Sequence, residues 1–161
     1  MKQTLILVLA CACALTLGCN KGPKKPADLP DLYPTTITVT YDDGEPVPDA
    51  TVVLRLAQQG GGRSWNCAGT TDAQGKVEMM TDGNWKGVPA GDYQGMVTKE
   101  VSEAEEPTEV GGSIKVKSIT RYVKTVYGDP NASGLTAQIK SGTNEIQFKV
   151  GEKIEEDVQV L

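Results

Sequence analysis

The chain has no histidine, which removes the commonest general base and the commonest metal ligand together. Cysteine, carboxylate and aromatic side chains remain as candidates for chemistry. Cys67 stands alone in the body of the chain. A nucleophilic thiol needs a base beside it, so Cys67 reads as a buried, inert residue of a type that is often fully buried, with an intermolecular disulfide or a free thiol as the alternatives. Acidic residues gather in turns: Asp42, Asp43 and Glu45 in one, and Asp72, Asp82 and Asp92 in others. Converging loops of this kind could offer oxygen ligands to Ca²⁺. However, no EF-hand loop or calcium repeat is present, and turns recruit Asp for their own hydrogen bonds. No metal is therefore assigned. Glu100, Glu103, Glu105, Glu106 and Glu109 show no spacing that marks a catalytic pair across a cleft. Residues 101–110, broken by Pro107, read as an exposed acidic loop. Gly60, Gly61 and Gly62 have no helix after them to cap a phosphate. No catalytic residue and no cofactor is assigned, and the chain reads as non-enzymatic.

The aromatics offer binding rather than reaction. Trp85 sits in the turn-rich DGNWKG, a setting that favours exposure, where it could stack on a sugar or anchor a partner. Tyr127 in VYGDP is the second candidate contact. Trp65 stands at the start of an expected strand and reads as core.

The N-terminus reads as a targeting segment. Lys2 supplies a positive start, and Leu5 to Leu17 is almost wholly apolar. That run has the length of a signal-peptide core and is too short to span a bilayer as a helix. It ends in Gly18-Cys19 and turns polar at once. A small residue before Cys at this place resembles a bacterial lipobox, although Thr16 stands where Leu is usual. The resemblance implies acylation of Cys19, with chains such as palmitate, and cleavage before it. Cys11, after Val8-Leu9-Ala10, is a rival site, but a cut there leaves apolar ALTLG on the mature end. Cleavage by the ordinary signal peptidase is the other alternative. Each buried CH₂ contributes about 0.8 kcal/mol, so two or three acyl chains hold a domain on a membrane. Asn20 is not the Asp that resembles an inner-membrane retention signal in some bacteria, which points to the outer membrane.

These features divide the 161 residues into a signal peptide (1–18), a lipidated Cys with a Pro/Lys-rich tether (19–34), and one domain (35–161). The tether holds four of the nine prolines, which favour extended structure and withhold backbone donors. From residue 35 the signals are all β. ITVTY (37–41) alternates, and ATVVLRL (50–56) is β-branched with Ala50, Val52 and Leu54 on one inward face. Further strands are expected within SWNCAGTT, KVEMMT, YQGMVTK, SIKVKSIT, LTAQIK, NEIQFKV and DVQVL. Strands recurring at such short intervals with turns between them predict an antiparallel β-sandwich, Ig-like in architecture. Gly44 and Gly75 suit turns with positive φ, Asp72 can accept bonds from its own turn, and the Tyr93 hydroxyl should find a backbone partner.

Three ordered stretches, GEPVPDATVVL (44–54), TDAQGKV (71–77) and VPAGDYQGMV (88–97), resemble the carboxypeptidase regulatory-like, or transthyretin-like, β-sandwich domain. Asp49 stands where that pattern more often has Gly. Residues 126–150 resemble the tail of small bacterial lipoproteins carrying this domain. The resemblance implies an accessory or binding module. Transthyretin-like hydrolases depend on histidines, which this chain lacks.

The net charge of −5 argues against a nucleic-acid partner, which needs a basic surface, and against docking on anionic lipid by charge. The expectation is a membrane-anchored envelope lipoprotein. It would contact lipid through Cys19 and an unidentified envelope protein or glycan through its domain. A carbohydrate- or cell-wall-binding module using exposed aromatics is the alternative, and an accessory domain of a hydrolase comes third.

Overall fold

The alternation in residues 35–40 forms a strand whose inward residues Ile37 and Val39 are fully buried while its threonines at 36, 38 and 40 stay half-exposed. A computed structural model describes residues 23–57, 63–105 and 115–158. Cys19, with Cys11, Cys13 and the rest of 1–22, lies outside them. The strands in chain order are β1 (Leu32–Tyr33), β2 (Thr35–Thr40), β3 (Thr51–Leu56), β4 (Cys67–Thr70), β5 (Lys76–Glu78), β6 (Met80–Thr81), β7 (Trp85–Lys86) and β8 (Val88–Pro89). They continue with β9 (Gly91–Thr98), β10 (Glu100–Glu105), β11 (Lys115–Arg121), β12 (Thr136–Ile139), β13 (Asn144–Lys149) and β14 (Glu156–Val158). The one helical element among the described residues is a 3₁₀ turn over Thr125–Gly128.

The fold is an all-β sandwich. One layer is a six-stranded sheet in the order β12-β9-β3-β4-β6-β7, and the other is a three-stranded sheet, β13-β2-β5. Pairing is antiparallel except between β13 and β2, which run parallel from Asn144 opposite Thr35 to Lys149 opposite Thr40. The inner faces meet over a core of Ile37, Val39, Val52, Leu54, Val97 and Phe148, with Ala50, Val77, Ile139 and Val150 completing it. The layers approach closely where β9 faces β13. A Cβ on residue 95 would lie 2.6 Å from Phe148 Cζ, so glycine there lets the ring rest on the strand backbone. Gly69 of β4 accommodates the Val77 side chain of β5 in the same way.

Turn chemistry holds the strands in register. Gly44 and Gly75 adopt φ of +90° and +71°. Asp72 Oδ1 accepts bonds from the amides of Gln74 and Lys76, both at 2.9 Å. Asp49 also has a positive φ, +54°, a conformation open to Asp but favoured by Gly. Thr71 ties two loops together: its hydroxyl donates to Val47 O (2.6 Å) and accepts from Ala50 N (2.8 Å). Tyr93 donates to Pro89 O at 3.0 Å.

Two expectations need correction. Residues 101–105 are not loop. They form part of β10, which leaves the sandwich directly after β9 and pairs with β11, and β14 adds to the other side of β11. The carboxylates are spent across this sheet, with Glu100 and Glu156 at 3.0 and 3.6 Å from the Arg121 guanidinium. Residues 106–110 lie outside the described residues. The second half of the segment read as a spacer is docked: Leu29 is buried and β1 pairs with β8. Leu29, Leu32 and Tyr33 give that stretch apolar surface to bury despite its prolines.

Adding one methyl at position 95 overpacks the contact between layers. Gly95→Ala should lower the unfolding free energy by about 1–3 kcal/mol, read as a shift in urea midpoint at unchanged slope. Thr136→Ala, on the exposed face of the neighbouring strand, should leave it nearly unchanged.

Candidate functional site

The docked segment before the sandwich builds one side of the candidate site. Leu32 and Tyr33 stand opposite Pro89 and Val88, and the Thr35 hydroxyl donates to Tyr33 O at 2.9 Å. The approach is possible because residue 87 is glycine. Its φ is +98°, and a Cβ there would lie 2.7 Å from Tyr33 O. The backbone of β1 therefore lies directly against the strand turn that leads into β8.

Two hollows meet at β1. The first, about 370 Å³, is walled by Pro30, Tyr33, Leu56, Trp65, Pro89 and Tyr93, with Asp31, Arg63, Ser64 and Ala90 also lining it. The second, about 540 Å³, is lined by Lys25, Leu32, Asn84, Trp85 and Lys86. Asp31 and Tyr33 line both. The first is mainly apolar with aromatic walls and a few polar groups, as ligand sites are; the second is a shallower, more open surface of mixed polarity. Arg63 sits at the edge of the first hollow with its guanidinium carbon 4.1 Å from the Trp65 ring centroid. The same guanidinium lies 3.6 Å from a carboxylate oxygen of Asp28 and 3.6 Å from one of Asp82. It thus joins the N-terminal segment, the Trp65 ring and the β6–β7 turn.

The expected site residues fall in different places. Trp85 is half-buried in β7 and lines the second hollow. Trp65 precedes β4 rather than beginning it. It is half-buried, packs against the core and still lines the first hollow, so it is not the wholly internal residue its sequence context suggests. Tyr127 lies in the 3₁₀ turn, half-buried against the core, and lines neither hollow. Tyr33 and Arg63 were not singled out from the sequence. Leu32-Tyr33, with Leu29 just before, is the signal for the first, being apolar in a segment rich in Pro, Lys and Asp. Nothing local marks Arg63, whose partners come from distant turns.

Four of the six turn carboxylates accept hydrogen bonds, Asp72 within its own turn. Asp43 Oδ1 accepts from Glu45 N (2.9 Å), Asp82 Oδ1 from Asn66 N (3.1 Å), and Asp92 Oδ1 from Gln138 Nε2 (3.0 Å). Among the described residues no three acidic or Cys side chains come together as a metal-binding group. Cys67 is buried and free of any disulfide. Its Sγ lies 3.6 Å from Thr81 Oγ1 and 3.8 Å from Trp65 O. Burial pushes the thiol above its ordinary value, the Thr81 hydroxyl opposes this, and the Asp82 charge adds to the rise. Burial also pushes up the hydroxyls of Tyr41 and Tyr93.

No family model matches the chain, and no curated protein matches it. Among solved structures it is similar to a 9R-lipoxygenase from Cyanothece PCC8801, with a TM-score of 0.40 and 12% identity over 81% of this chain and 18% of that one. The chain thus spans under a fifth of that protein's length, and a TM-score of 0.40 is too low to transfer fold or activity.

The three raised groups act in one direction. Below their unfolded-state values they are protonated in both states. Above those values the unfolded chain releases protons that the native chain keeps, so stability falls. Unfolding midpoints should be level through neutral pH and decline above the ordinary thiol value of 9.0. Cys67→Ala should delay that decline to the tyrosine range near 10.0. Native Cys67 should resist alkylation until denaturant is added.

Proposed function

We propose that this chain is a non-enzymatic lipoprotein of the bacterial cell envelope, anchored through acylated Cys19, whose sandwich is an interaction module. The observation that carries the module reading is the pair of hollows meeting at β1, with Tyr33, Trp65 and Trp85 along them. Aromatic and Arg side chains set in concave surface are the usual anchors of binding. The anchor rests on the N-terminal sequence, and Asn20 favours the outer membrane as its destination. The transthyretin-like reading gains support from the left-handed Asp49, where that pattern prefers Gly, from the Asp72–Gly75 turn and from the Tyr93–Pro89 bond.

Anchoring is tested by feeding cells labelled palmitate. Label should enter the wild-type chain and disappear in Cys19→Ser, which should also move to the aqueous phase on detergent partitioning. Label retained in Cys19→Ser would place the acyl chain on another residue and sink the assignment.

A second reading, a saccharide- or cell-wall-binding module, is favoured by the charge around the hollows. Lys25, Arg63 and Lys86 are interspersed with Asp28, Asp31, Glu78 and Asp82, so both signs are mixed around the site and neither forms a patch. A neutral ring with C–H faces for the aromatics and hydroxyls for the charged groups fits such a surface. Tryptophan emission should change on titration with a soluble glycan. Trp65→Ala and Trp85→Ala should each weaken binding about tenfold or more, in keeping with aromatic anchors; wild-type affinity in both variants would remove this reading.

A further inference from the structure

The wall common to both hollows is not part of either sandwich layer. Asp31 and Tyr33 line both hollows, and Pro30 lines the first. All three belong to the segment that connects the sandwich to the N-terminal anchor. We propose that this segment is a latch: docked, it completes a saccharide-binding groove, and released, it dismantles that groove, so ligand occupancy and tether docking are one equilibrium. The inference rests on the saccharide reading above.

The segment is held by contacts outside the two sandwich sheets: Tyr33 packs against the core, its carbonyl accepts from the Thr35 hydroxyl, and its backbone lies close over Gly87. Leu29 is buried at 8% exposure. β1 contributes a two-residue pairing with β8, and the Asp28–Arg63 ion pair spans 3.6 Å between side chains that are 59% and 54% exposed. An exposed pair of that kind adds little, and its contribution is screened by salt. A two-residue strand pairing cannot stand alone. Residues 28–33 can therefore leave without breaking a pairing of either sandwich sheet, a local opening of the kind that ligand binding can shift.

Arg63 connects the two events. It holds Asp28 of the segment while covering the Trp65 ring at 4.1 Å. Release of the segment therefore frees one arm of the guanidinium and removes Tyr33 and Asp31 from the groove together. A ligand touching both walls binds only the docked form. By linkage it must stabilise docking by the same factor that docking improves its affinity. Undocking residues 28–33 adds about 20 Å of extended chain between sandwich and anchor. An occupied domain is accordingly held near the lipid surface, and an empty one ranges further from it.

The test uses the full chain in detergent micelles, with spin labels on Lys24→Cys and Thr136→Cys, both exposed positions. The probes are chitotetraose, cellotetraose and a peptidoglycan disaccharide. Leu29→Ser should broaden the distance distribution and weaken binding of the best probe about tenfold, and saturating probe should restore the docked distance. Asp28→Asn, which touches no core residue, should weaken binding about twofold without altering the thermal unfolding curve. Wild-type affinity in a Leu29→Ser chain whose segment is released overturns the latch and leaves the saccharide reading standing. Failure of saturating probe to redock that variant does the same. No binding of any probe by the wild-type chain removes the saccharide reading and the latch with it.

Discussion

Everything in this molecule hangs on the close face-to-face contact of two sheets that own very few aromatic side chains. Phe148 is the one phenylalanine in the chain, and it lies against the bare backbone of β9 at Gly95. Small β-branched and aliphatic residues fill the rest of the space between layers. Such a core gains its stability from close fit rather than from large rings, because each void forfeits dispersion contacts that nothing replaces. The glycines at 69 and 95 work with that scarcity: they bring the sheets near enough for modest side chains to meet.

The loops follow from the same geometry. Once the layers are set, the strand ends are set too, and the turns must span fixed gaps with few residues. The Thr71 hydroxyl, bridging Val47 and Ala50, and the Asp72 carboxylate, closing its own turn, supply partners to backbone groups that the sheets leave unpaired. Asp49 and Asp82, both at positive φ, stand where the chain bends in a conformation that a short acid tolerates.

How much of this was legible in the sequence depended on the range of the interaction. The alternation in ITVTY, the β-branched run at 50–56 and the turn at DAQG are local signals, and the strands at β2, β3, β12 and β13 and the Asp72–Gly75 turn stand where those signals placed them. Burial of Ala50, Val52, Leu54 and Cys67 was readable from type and period. Strand β10 was not, since Glu-rich composition argues for solvated loop, and only pairing with β11 and the Arg121 bridges make it a strand. The docking of β1 was hidden by four prolines in the surrounding stretch. The groove was hidden for a related reason: Tyr33, Arg63 and Trp65 belong to separate segments, and their neighbourhood exists only after β1 pairs with β8.

The parallel pairing of β13 with β2 carries a consequence for how the chain reaches this state. An early strand waits for a late one, more than a hundred positions downstream, before its second edge is covered. Loop closure over that separation must come before any reward from the contact, which slows folding. A chain emerging from its N-terminus would meanwhile show the threonine-rich edge of β2 as an open template for other strands. Phe148 lies on that same late strand, so its contact with Gly95 of β9 also waits for it. The stretch 144–149 thus acts as the closing seam of the molecule, and truncation just before it would leave a nearly full-length product with both an open edge and an unfilled centre.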